Sequence, residues 1–69
     1  MADVDIERQL EVVHEDLRRE FTGPLPETVV EETWRAAVDG FAGARIRTFL
    51  PVLIRRRTLA RLREVLSGR

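Results

Sequence analysis

No cysteine and a single histidine occur in this chain of 69 residues, which removes disulfides and zinc-type clusters from the ways a small domain can be stapled. A core built from so few residues supplies only a few kcal/mol of net stability. The staple left is a partner subunit. Long apolar runs are also missing: nothing approaches the ~18 residues that cross a bilayer. The N-terminus, MADVDIERQLEVVHEDL, is acidic where a secretory leader would be basic. The expectation is a soluble cytoplasmic protein with no membrane segment.

Groups able to do covalent or acid-base chemistry are sparse too. The hydroxyls Thr22, Thr28, Thr33, Thr48, Thr58 and Ser67 have no base at a recognisable spacing, and Gly23, Gly40, Gly43 and Gly68 form no phosphate-cradling loop. Glu31 and Glu32 are sequence neighbours about 100° apart on a helix, so they make no dyad on one face. His14 sits beside an apolar stripe, near Glu11 and Glu15, as a boundary residue does. The pattern predicts a non-enzyme with no metal and no cofactor.

What is present is charge, sorted by position. All twelve basic residues are arginine, and twelve acids balance them to a net charge of zero. Residues 1–39 hold eleven of the acids and four arginines, whereas residues 40–69 hold eight arginines and one acid, Glu64. An acidic block followed by a basic block of equal size favours two surfaces that pair, within one bundle or between two copies.

Apolar periodicity predicts one all-α domain over residues 1–69. Ile6, Leu10, Val13, Leu17 and Phe21 recur at helical spacing, giving a helix near 4–21, with Asp3 or Asp5 at its cap and Gly23-Pro24 ending it. Pro26-Glu27 opens a second helix near 26–41 whose stripe is Val30, Trp34, Ala37 and Phe41, with Glu31, Glu32, Arg35 and Asp39 outward. A third helix near 45–66 contains Pro51, which predicts a bend or a late start close to Thr48. Short loops make these an up-down-up three-helix bundle.

The third helix is the unusual one. At about 100° per residue, Ile46, Phe49, Leu50, Leu53, Ile54 and Ala60 form one sector, and Val52, Leu59, Leu62 and Leu66 another almost opposite. One sector faces the first two helices. The other predicts a homodimer interface of Val52, Leu59, Leu62 and Leu66, joined by Leu53 and Ile54 if Pro51 turns the register. Arg55, Arg56 and Arg63 are the expected polar rim, paired with acids of the first two helices. If it covers residues 44–66, its 23 residues would outreach the first helix and overhang it.

Nucleic-acid binding is the alternative. Ala36, Gly40 and Ile46 have the Ala-x3-Gly-x5-Ile spacing of a helix-turn-helix, with Arg45, Arg47 and Arg55 to Arg57 as the contacts. Three common residues match readily by chance. Phe49, Leu50 and Pro51 fall where polar base-reading groups belong, and consecutive Arg55, Arg56 and Arg57 point three ways, so nucleic acid is disfavoured.

The run GPLPETVVEETWRAAVDGFAGARIRTFLPVLIRRRTLARL, with Leu17 to Phe21 before it, resembles a three-helix-bundle dimerisation domain of actinobacterial proteins. The likeness covers about residues 6–63 and rests on Pro26-Glu27-Thr28-Val29, Ala44-Arg45-Ile46, Phe49-Leu50-Pro51-Val52-Leu53 and the arginine-rich stretch to Leu62. That domain stands alone or precedes arsenate reductases and other proteins similar to low-molecular-weight phosphotyrosine phosphatases. The resemblance implies a non-catalytic homodimerisation module, with a phosphatase- or reductase-like protein as a second class of partner. Enzymatic relatives use a Cys-x5-Arg loop, which this chain does not contain.

Overall fold

The computed structural model describes the backbone of residues 2–43 and 48–68, and side chains within these from Asp5 onward. Three helices follow one another: α1 (Ala2–Phe21), α2 (Glu27–Gly40) and α3 (Leu50–Leu66). Every pair of helices is in contact, so the fold is an all-α three-helix bundle, 39 × 19 × 15 Å. Arg45, Ile46 and Arg47 lie outside the described residues.

α1 begins two residues before the sequence-based boundary, which places Asp3 and Asp5 inside the helix rather than at its cap. Carboxylates there still favour the positive end of the helix dipole. Its end is as the sequence implies. Gly23 has φ +122°, a left-handed conformation that side chains disfavour, and its N–H bonds Leu25 O at 3.2 Å. Leu25 N–H returns to Phe21 O at 2.9 Å and its side chain is buried, so the turn itself contributes to the core.

Pro26 sits one position ahead of α2, as its N-cap, with φ −61° and ψ 146°. Its carbonyl accepts from Val29 and Val30 N–H at 3.1 and 3.3 Å, so the fixed φ starts the helix without a side-chain cap. Val30, Trp34 and Ala37 are buried, while Val29, Val38 and Phe41 flank them.

α3 starts late. Leu50 is its first residue and Pro51 lies in the first turn, where the missing N–H breaks no helical hydrogen bond. The helix is therefore 17 residues against 20 for α1, about 26 Å against about 30 Å. The expectation that the third helix is the longer is overturned, because the proline sets its start.

The core consists of Leu17, Phe21, Leu25, Val30, Trp34, Ala37, Leu50, Ile54 and Leu62. On α3 the buried seam is Leu50, Ile54, Thr58 and Leu62, each four residues after the last. Such a seam drifts about 40° per step. It thus starts in one apolar sector of the helix and finishes in the other, which is why neither sector is wholly inside. Thr58, fully buried, bonds Ile54 O at 2.8 Å and carries no unsatisfied hydroxyl inward.

Candidate interaction surface

α1 and α2 are joined by a set of polar pairs that the helix periodicities bring level. The His14 ring stacks on Trp34 at 4.7 Å between centroids and 3° between planes. Its Nε2 lies 3.0 and 3.1 Å from the two oxygens of Glu31; an ionised carboxylate only accepts, so the ring nitrogen donates. Arg18 adds Glu27 at 2.9 Å and Glu31 at 3.2 Å, the latter through an Nε not aligned as a hydrogen bond. Glu15 completes the group, 3.5 Å from Arg18 and 3.6 Å from Arg19. His14 is indeed at the core boundary, but its carboxylate is Glu31 of the next helix, not Glu11 or Glu15. Glu31 accordingly turns inward and is half-buried, where the sequence pattern had it outward. This cluster is a clasp between two helices. His14 and Glu31 also edge a small open hollow with Trp34, Arg35 and Val38, and among the described residues no three metal-donor side chains converge.

α3 is attached differently. Arg55, Arg56, Arg57, Arg61 and Arg63 are all exposed, and none has a carboxylate within 4 Å among the described residues. Within one copy, and among the described residues, Arg55, Arg56 and Arg63 thus make no pair with the acids of α1 and α2. Arg57 instead stands 5.2 Å over the Phe41 ring, a cation-π contact that ties the α2 end to α3. Glu15, Glu27 and Glu31 are engaged in the contact between α1 and α2, and Glu32, which shares the α2/α3 groove with Arg57 and Arg61, makes no ion pair with either among the described residues.

The residues expected at a partner surface separate into three groups. Val52, Leu53 and Leu66 are exposed, Val52 at 56%. Leu59 is half-buried against the core. Leu62 and Ile54 are buried within it and face no solvent; the i+4 seam from Leu50 carries both inward, which corrects their assignment to the interface. The first turn of α3 buries Leu50 and Pro51 and exposes Val52 and Leu53, an apolar start ill suited to reading bases.

One neighbour was not legible in the sequence. Val12, also 56% exposed, lies outside the stripe of α1 and reads there as a stray apolar residue. Folding sets it beside Val52. Val12, Val13, Pro51 and Val52, with the stems of Arg8 and Arg55, line a shallow groove between α1 and α3 whose surface is almost wholly apolar. A second groove, between α2 and α3, has a floor of Thr33, Ala36, Ala37 and Ala60 edged by Glu32, Arg57 and Arg61, and is more polar.

No described helix is long and apolar enough to cross a membrane. Comparison with family models, with curated proteins and with solved structures finds no match to this chain.

Proposed function

We propose that this chain is a non-catalytic self-association module whose partner is a second copy, docked on the α1/α3 face. One observation carries the reading: Val12 and Val52 flank a continuous apolar groove on the bundle surface, with Leu59 and Leu66 following Val52 at intervals of seven along α3. A heptad-spaced stripe beside a valine of the adjacent helix is what a helix-on-helix interface requires. Arg55, Arg56 and Arg63 border it as the polar rim, with charges unmatched among the described residues. The resemblance to a dimerisation domain supports the same assignment, and adds a phosphatase- or reductase-like protein as a further partner of the dimer. Absence of cysteine is compatible with a cytoplasmic setting.

The test is molar mass in solution by sedimentation from about 1 to 100 μM, at low and high salt. A dimer that persists in high salt supports the apolar interface. A monomer throughout would sink it.

A further inference from the structure

On the reading that a second copy covers the α1/α3 groove, the distribution of charge further selects how the copies are oriented. α1 and α3 run in the same direction because each is antiparallel to α2: Arg18 and His14 of α1 meet Glu27 and Glu31 in reverse order, and Arg57 of α3 reaches Gly40 while Arg61 shares a groove with Thr33; Arg8, Val12 and Val13 line one groove with Pro51, Val52 and Arg55. Beside Val12, within an arc of about 80°, α1 exposes Asp5, Asp16 and Glu20, none with a cation within 4 Å among the described residues. Arg8 and Arg19 lie on the other side of Val12, within about 40° of it; Arg8 edges the groove and Arg19 is held by Glu15. The matching arc of α3, centred on Val52, Leu59 and Leu66, exposes Arg55, Arg56 and Arg63. The one acid of α3, Glu64, is on its other flank.

A face made of two parallel helices meets its own copy in two aligned ways that close by a two-fold axis. With the axis across the helices, α1 lies antiparallel on the partner's α1 and α3 on the partner's α3. Arginine then faces arginine along α3, and acid faces acid along α1. With the axis along the helices, heights are preserved and each α1 lies on the partner's α3. Val12 is then level with the partner's Val52. One turn on, Asp16 is level with the partner's Arg56, and Glu20 comes within about one turn of the partner's Arg63.

We propose that the dimer has its two-fold axis along the helices, so that four helices alternate acidic α1 with basic α3 around the Val12 and Val52 contact. Like charges facing across a contact are strongly unfavourable, and the alternation removes them. The same ion pairs answer for the arginines that α3 leaves unmatched within one copy.

Two measurements test it. The chain lacks cysteine, so Thr48→Cys and Ser67→Cys, both exposed and bracketing α3, give single spin labels in otherwise unaltered protein. With the axis along the helices, both inter-copy distances are short, about 20 Å. With the axis across them, the two axial separations together come to about 57 Å, so at least one exceeds about 28 Å. In parallel, Asp16→Arg with Glu20→Arg, and separately Arg56→Glu with Arg63→Glu, should each weaken self-association roughly tenfold or more, and an equal mixture of the two should restore it. A long distance at either label, or a double variant that associates as tightly as the parent, overturns the orientation while leaving self-association standing. Absence of any dipolar coupling together with a monomer mass overturns both, as would a monomer that instead retards a DNA duplex.

Discussion

The two contacts that hold this bundle together differ in kind. α1 meets α2 through a clasp with defined partners: a stacked imidazole, a shared carboxylate and a guanidinium reaching two acids. α3 joins them by shape, through Leu50, Ile54, Thr58 and Leu62 inward and a single cation-π contact at its side. Polar pairs specify which helix faces meet, because a misplaced register leaves half-buried charges unpaired. Apolar packing stabilises more but specifies less. The helix that is placed mainly by packing is also the one that keeps its charges and several apolar side chains for the outside.

Removing a side chain from the α3 seam should produce the largest effect. Leu62 is fully buried, and Leu62→Ala should cost about 3 kcal/mol in denaturant unfolding, a large fraction of what a domain this small can hold. Leu62→Glu should unfold the chain rather than release a folded monomer. A folded, merely monomeric Leu62→Glu protein would mean that Leu62 belongs to the partner surface after all. Next in size, Val52→Glu should leave helix content intact by circular dichroism and weaken self-association by at least about tenfold, the loss of a buried valine plus an added charge. Val12→Glu should do the same. A full-strength dimer with either variant would move the interface to the α2/α3 groove, where Ala60 and Arg61 are the residues to change.

How much of this was legible beforehand follows from the range of the interactions involved. Helix number, order and ends come from local signals, namely the stripe of Ile6 to Phe21, the left-handed Gly23 and the proline of α3, and these are read within a few residues. The seam of α3 was misread because both of its apolar sectors satisfy the same periodicity. Only the position of the other two helices decides that Leu62 goes in and that Val52, Leu53 and Leu66 stay out. Val12 and the inward turn of Glu31 are products of tertiary placement, and a sequence pattern carries no signal for either beyond an apolar residue in the wrong place. The equal and opposite charge blocks were visible, but not that, among the described residues, the arginines of α3 find no carboxylate of α1 or α2 within 4 Å.

The clasp should rank below the core. His14→Ala removes the stack on Trp34 and the bond to Glu31, and should destabilise by about 1 kcal/mol. The side chains are about a third exposed, so water replaces part of what is lost. Arg18→Ala, whose ion pairs are more exposed still, should cost less, about 0.5 kcal/mol. If Arg18→Ala proved the more damaging of the two, the clasp would be electrostatic rather than aromatic, and the contrast with α3 sharper.

The smallest effect expected has the opposite sign. Gly40 closes α2 with an ordinary negative φ, and a Cβ there would meet only the Nη1 of Arg57 at 3.5 Å, an ordinary van der Waals contact with the tip of a flexible side chain. Glycine lowers helix propensity and raises the entropy of the unfolded chain. Gly40→Ala should therefore stabilise by about 0.5 kcal/mol in the same unfolding measurement, less than mid-helix values because the last turn is half outside the helix. The side chain of Arg57 also stands over Phe41, so the substitution probes a directional contact between α3 and the end of α2. A gain means that the guanidinium shifts without leaving the ring, and that α3 is held by packing as argued; a loss means that the cation-π contact is rigid enough for a methyl group to disturb it, and that α3 is specified from its α2 side as well.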